Sequence, residues 1–503
     1  MNSGESYSDE NTYCSLQEIL IKEQDAAPAA PILTMDKKPT SGTVLRFWGV
    51  SSIGIQLVQN MDTTFFAYFL TDVVRFSSPL AGTVLTLTST IDLFFSIFVG
   101  AFIGMINPMK WGRLRSYQLI LPPFVVLFFT LQFTVIGTGT GAAFLMILFY
   151  VLAHICSTTA YTADFAMVAE IAATPQDRIK LNSNRMVGSN FGRLFTGYAV
   201  PTIVAFVKGF ASEQTAYFYL ALAFSFLFAV TYFAHFKMGE GYENQGGNKK
   251  TDENLKLKDI LTAFATNRNL AAIVISDLSS TVGSFVIPAL NVYYYKYIAV
   301  TMPNVTLPVH LLFSSLTGLA GAWLAGIVGK NVREKKKVLL VTYALMAALI
   351  AVMRMFALTS AYLFFGFQIS MQLVQGFTQP LESDLYMDVA VYHEWKTGKN
   401  CTAFIMGLLN IPVKVGQVIK NISIAALLAA VSYVADMPAT PELLQGIADG
   451  YIYTPLAAPL LGIIVLGLVF NIKASEVPMM QKEVNERRRL RAQEVLEEEL
   501  ADL

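Results

Sequence analysis

Lys414 lies about a dozen residues into the apolar run Ala403 to Val434. An ammonium at mid-bilayer costs about 2.5 to 3.5 kcal/mol on insertion scales, so it has to face a partner, water or a bundle interior. The chemistry open to it is the holding of a carboxylate, whether the protein's own or a solute's. Other polar residues sit within apolar runs. Gln56 and Asn60 are four apart and share a helical face, whereas Asp62 points elsewhere. Tyr161, Asp164 and Phe165 cluster in another run, Asn190 and Arg193 in the next. Gln375, Gln379 and Glu382, spaced by four and three, make one polar stripe on an otherwise apolar helix. Uncharged members of such sets serve equally well as helix-to-helix hydrogen bonds, worth around 0.6 kcal/mol each. The charges of Asp164 and Glu382 cost more to bury and point to a wet cavity. His154 is the one histidine deep inside an apolar run, His235 and His310 lying near run ends, and a lone imidazole there is more often packed or hydrogen-bonded than a relay.

Bond-making chemistry is not visible. No phosphate-cradling glycine loop or zinc motif is present, and no nucleophile stands beside a base. Cys14, Cys156 and Cys401 are scattered and suggest neither a disulfide framework nor a metal site. An enzyme is therefore not expected.

The elements that position these residues follow from composition. The chain has 503 residues, 54% hydrophobic and 14% charged, against about 25% charged in an average soluble domain. Lys and Arg balance Asp and Glu at 36 each, which gives no reason to expect a nucleic-acid partner. A bilayer core of about 30 Å takes about twenty helical residues. By that length rule the spans are Val44 to Val74, Leu80 to Ile106, Tyr117 to Ile136, Gly141 to Ile171, Arg185 to Phe210 and Thr215 to Phe236. The second series is Asn269 to Ile298, Val309 to Val328, Val338 to Leu358, Ala361 to Val391, Ala403 to Val434 and Pro455 to Ile472. The expected class is an all-α membrane protein of about twelve helices in two six-helix bundles. Residues 44–236 form the first bundle and 269–472 the second, with a disordered cytoplasmic tail at 1–43, a linker at 237–268 and a charged tail at 473–503.

Lys110, Arg113, Arg115, Arg178, Lys180, the linker lysines, Arg333, Lys335 to Lys337, Lys396 and Lys399 fall on one side, while the other holds little beyond Arg75, Lys208 and Lys296. That asymmetry places both termini in the cytoplasm of a plasma-membrane protein. Within the inside loops, Arg113, Arg115, Asp388 and Glu394 can pair across the halves as a cytoplasmic gate, and a solvated charge run explains the same residues. The halves also repeat weakly: FFAYFLTDVV from Phe65 answers NVYYYKYI from Asn291, and KWGRLR answers GKNVREKKK. Repeats of this kind place a substrate site at their interface near mid-bilayer. The basic cluster Arg487 to Arg491 can meet anionic headgroups of the lipid bilayer, at about 1 kcal/mol each.

Asp388, Tyr392, Glu394, Thr397 and Gly398 followed by Lys414 resemble the loop before span eleven of the glycoside/pentoside/hexuronide:cation symporters, a melibiose permease-like family. Thr71-Asp72-Val73-Val74, Gly82-Thr83 and Trp111-Gly112-Arg113 are similar to the same family's signatures in the other half. The resemblance implies a major facilitator-like fold and symport of a small organic solute, sugar, glycoside or uronide, with Na+ or H+ and no other cofactor. It makes Asp92 the first acid of the family's cation site, with Ser96 where the second acid is usual. It puts Gln56 and Tyr161 where sugar-gripping acids are usual and Phe165 at a tryptophan position, while Val391 and Asn400 replace the usual Asp and Arg. Lys414 becomes the charge partner of Asp92 or a contact for an anionic solute, with Asn410 one turn before it. The expected cavity lining is Gln56, Asn60, Tyr161, Asp164, Phe165, Gln375, Gln379, Glu382 and Asn410. Two rival readings keep the fold: a lysolipid or other lipid transporter, and a receptor or scaffold without transport. The solute's identity and the oligomeric state are not written in the sequence.

Overall fold

The computed structural model describes residues 38–105, 109–243, 267–331, 334–398, 405 and 408–501. Most of the expected amino-terminal tail and linker, 1–37 and 244–266, lies outside the described residues, as do Asn400 and Cys401.

Apolar runs that leave water must satisfy their own backbone, and among the described residues they do so as helices. Seven helices are long and apolar enough to cross a membrane without interruption: Thr140–Ile171, Glu213–Met238, Arg268–Thr301, Leu307–Ala325, Lys335–Phe356, Asn410–Ala430 and Pro441–Leu468. They are spans four, six to nine, eleven and twelve. The other five expected spans are helical too. Span one is Val50–Tyr68, widening into a π turn at Phe69–Val73, and span two is Ser78–Met105. Span three steps at Pro122 between Arg115–Ile120 and Pro122–Gln132, because proline has no N–H to continue the ladder. Span five, Pro175–Val207, begins ten residues before the expected Arg185, at a capping box in which Thr174 and Asp177 satisfy each other's backbone. Span ten is broken between Ala361–Gln375 and Thr378–Thr397.

Span twelve differs most from expectation. It runs Pro441–Leu468 rather than from Pro455, because Glu442 and Asp449 depress the hydropathy of its first turns. Arg354 of span nine offsets Asp449 with two hydrogen bonds to one oxygen, at 2.8 and 2.5 Å.

Span one packs on five and six, two on four, and three on four and six; seven packs on eleven and twelve, eight on ten, and nine on ten and twelve. The same arrangement thus appears twice, as two six-helix bundles. The halves meet where span two lies on eleven, five on eight and one on seven. Backbones approach closely where side chains are absent: a methyl on Gly376, at the break in span ten, would collide with the Gly318 carbonyl oxygen of span eight.

Candidate functional site

Span two and span eleven bring Asp92 and Lys414, 322 residues apart, to 2.9 Å between Oδ2 and Nζ. The carboxylate is 4% exposed and the ammonium 22%, so the pair sits at the interface of the halves with the lysine partly accessible. Ser96 lies one turn on, but its hydroxyl donates to the Asp92 carbonyl of its own helix at 2.7 Å. The other oxygen of Asp92 faces His154 of span four, with Nδ1 at 3.5 Å. On its far side the same imidazole has Nε2 3.5 Å from Oδ2 of Asp62 in span one, and its ring stacks on Tyr150 with centroids 4.0 Å apart. Asp62 also accepts from Gln132 at 2.8 Å and Tyr150 at 3.1 Å. Lys420, buried six residues past Lys414, donates to the Thr63 carbonyl at 2.9 Å, beside Asp62 in the chain. Among the described residues this cluster brings together two carboxylates, two ammoniums and one imidazole, of which the sequence pointed to Asp92 and Lys414 as the charge pair.

A second charged cluster closes one end of the interface. The π turn at the end of span one turns Asp72 toward the other half, where Lys296 of span seven pairs with it and Tyr433 donates to it at 2.6 Å. Lys296 also reaches Asp436 at 2.9 Å, and Arg75 reaches Asp436 at 2.8 Å. Arg75 (φ 66°) and Asp436 (φ 56°) both adopt the left-handed region, which costs a non-glycine residue about 1 to 2 kcal/mol and is tolerated when surrounding contacts hold it. The Lys296 hydrogen bond, with the Lys296 and Arg75 charges, holds the exposed Asp436 carboxyl below the usual carboxylate range. Thr71 meets Tyr293 at 3.0 Å and Ser78 donates to the Tyr433 carbonyl, so polar contact between the halves is dense at this end.

At the opposite end the expected gate residues keep to their own halves. Arg115 donates to the Phe236 carbonyl at 2.6 Å and lies 3.5 Å from Glu240. The Arg113 Nε has no hydrogen-bond partner among the described residues. Asp388 is 3.5 Å from Lys335, and Glu394 accepts two hydrogen bonds from Arg488 of the tail helix Val477–Ala501, at 2.7 and 2.5 Å. That bond raises the Arg488 guanidinium above its ordinary value.

The expected cavity residues divide. Gln56 is half-buried on span one against Gly192 of span five, and Asn60 donates to the Arg193 carbonyl at 3.2 Å. Tyr161 and the exposed Phe165 lie under the Arg185 guanidinium, with ring centroids 5.3 and 4.6 Å away. Gln379 and Asn410 are exposed.

Asp164, Glu382 and Gln375, expected in the cavity lining, are each buried with partners from a single bundle. Asp164 accepts from Ser51 at 2.9 Å and Gln118 at 3.0 Å and meets His235 at 2.7 Å. Glu382 accepts from Tyr343 at 2.5 Å and Ser280 at 3.1 Å, and Gln375 donates to the Ser280 carbonyl at 3.3 Å. The break at Gly376 parts the stripe, so Gln379 turns outward while its two neighbours stay inside. A hollow of about 270 Å³ lined by Arg268, Asn269, Tyr392 and Lys396 lies away from all these residues, in the second half alone.

A family model described as MFS/sugar transport protein matches residues 47–474. The isoprimeverose transporter of Lactiplantibacillus pentosus is 23% identical over 454 residues, covering 89% of this chain and 92% of the relative. The glucuronide carrier protein homolog of Escherichia coli K12 is 24% identical over 435 residues, covering 81% and 87%. Among solved structures, the peptide transporter POT in complex with sulfate superposes with a TM-score of 0.60 at 13% identity, covering 89% of this chain and 97% of that one, which is a likeness of fold.

Proposed function

This chain belongs to the MFS/sugar transport protein family, and on that premise we propose that it moves a glycoside or uronide with a cation by alternating access around Asp92 and Lys414. It is a multi-pass membrane transporter and not an enzyme, and its partner is a small-molecule solute. Neither the lipid-carrier reading nor the scaffold reading is favoured by the family or by the relatives' names.

The observation that carries the mechanism is the Asp92–Lys414 contact across spans two and eleven. An ion pair in a poorly solvated interface is strong only while both partners stay charged and together. A cation on Asp92 frees Lys414, and a uronide carboxylate gives the freed ammonium a new partner, so that binding of ion and solute become mutually dependent. Gln56, Asn60, Tyr161, Phe165, Gln379 and Asn410 are the remaining candidates for solute contact. With the basic loops inside and both termini in the cytoplasm of a plasma-membrane protein, the Asp72–Lys296–Asp436–Arg75 cluster is an extracellular seal. Arg113, Arg115, Asp388 and Glu394, separated here, would then meet when the bundles at 44–236 and 269–472 rock to close the inside.

The test is uptake of labelled isoprimeverose and a labelled glucuronide by proteoliposomes under imposed Na+ or H+ gradients. Asp92→Asn should abolish accumulation and keep downhill counterflow. Full accumulation by that variant would sink Asp92 as the coupling site, and no accumulation by the wild type under either gradient would sink symport of these solutes.

A further inference from the structure

We infer that the His154 side chain occupies the seat a metal cation would take between Asp62 and Asp92, so that this transporter excludes sodium from its coupling site. The inference rests on the symport reading and narrows it to one ion.

A hard cation needs several oxygens converging on one point. Here the two candidate carboxylates are in neighbouring spans, but the imidazole stands between them, 3.5 Å from an oxygen of each. The ring cannot swing aside freely, because it stacks on Tyr150 at 4.0 Å with the planes 7° apart and is 7% exposed. Both oxygens of Asp62 accept hydrogen bonds, from Gln132 and Tyr150, and Oδ2 of Asp92 is held by Lys414; Oδ1 of Asp92 has no hydrogen-bond partner among the described residues and has the imidazole in front of it. Ser96, where a second acid would complete a pair one turn from Asp92, spends its hydroxyl on its own helix.

Charge leads to the same result. The groups facing the imidazole are Asp62 from span one, Asp92 from span two and Tyr150 on its own helix; Lys414 pairs with Asp92, and the buried Lys420 stands beside Thr63 next to Asp62. Asp92 already meets the Lys414 ammonium, and a second buried ammonium, Lys420, donates to the carbonyl of Thr63 next to Asp62, so positive charge already stands by both carboxylates. A sodium ion entering here would bring a further positive charge into a buried site and would have to displace either the ring or Lys414 to reach both carboxylates. With sodium excluded, the proton remains as the coupling ion.

The experiment uses the purified full chain. Its thermal unfolding is measured in sodium chloride and in choline chloride at equal ionic strength, for the wild type and for His154→Asn, whose amide supplies an oxygen in place of the ring. The wild-type midpoint should be the same in both salts, and the variant should gain a sodium-specific rise of roughly 2–4 °C. A sodium-specific rise in the wild type overturns the inference, as does a folded variant that ignores sodium. Should His154→Asn not fold, His154→Gln is measured in its place. In proteoliposomes loaded as above, a proton gradient should drive wild-type accumulation and a sodium gradient should not. Sodium-driven accumulation leaves symport standing and overturns the inference; accumulation under neither gradient overturns both.

Discussion

Replacing Asp72 by asparagine should open the sealed end of the interface. The carboxylate is 1% exposed and accepts two hydrogen bonds from the other half, from Lys296 and from the Tyr433 hydroxyl. Hydrogen bonds with a charged partner are worth about 1.5 to 3 kcal/mol and neutral ones about 1; the Tyr433 bond becomes neutral and loses about 1 kcal/mol, and the Lys296 bond, whose donor stays charged, loses about as much with its opposite charge, or about 2 in all. Lys296 keeps Asp436, but that pair is exposed and solvent-screened, and it is common to both proteins. Because the bonds exist only while this end is closed, their loss falls on one state, and about 2 kcal/mol shifts the equilibrium about thirtyfold toward opening. The assay is a pair of spin labels at Thr138→Cys and Thr306→Cys, exposed positions in loops of the two halves, with the three native cysteines replaced. The distance distribution read by pulsed electron resonance should lengthen, or gain a longer component, in Asp72→Asn. An unchanged distribution would refute the assignment of this cluster as the seal.

The same label pair checks the effect of acid. The Asp436 carboxyl is held below the ordinary carboxylate value of about 3.9, chiefly by the Lys296 hydrogen bond, so its contribution to closure is complete above that value and is lost as pH falls through its own lower one. The distances should stay constant from neutral pH to about pH 4 and lengthen only below it; lengthening already at pH 6 would point to another group. Gly376→Ala should cost about 1 to 3 kcal/mol through its clash with the Gly318 carbonyl, read as a lower unfolding midpoint. Gly283→Ala, where a methyl meets open space, is the control and should leave the midpoint level or slightly raised.

Hydropathy and length made the helices and the two-bundle fold legible, because a bilayer imposes both. The rule that an intramembrane ammonium needs a partner held for Lys414. Applied once more along the same run, it would have singled out Lys420, which is buried and bonded to a carbonyl of span one. Nothing in spacing could pair Asp62 with His154: they lie in different spans, and helical periodicity says only that Asp62 leaves the Gln56–Asn60 face. Arg75 and Lys296 read as stray outer-loop cations because their partner, Asp436, is 361 and 140 residues away in the chain. The cost of burying a charge could not by itself place Asp164 and Glu382, since that cost is met equally by water in a cavity and by a closed set of donors.

Those two acids also tie each bundle together from within. Asp164 in span four binds Ser51 of span one and Gln118 of span three; Glu382 in span ten binds Ser280 of span seven and Tyr343 of span nine. Corresponding spans thus hold a buried carboxylate with donors from corresponding neighbours, and each network is contained in one half. Removing a partner from a buried charge costs about 3 to 5 kcal/mol, so neither network gives way when the halves move. The contacts at Asp72 and Asp92 cross the interface instead, and each can be exchanged for solvent, ion or solute. These four acids therefore divide by what they connect: Asp164 and Glu382 bond within one bundle, whereas Asp72 and Asp92 bond across the two.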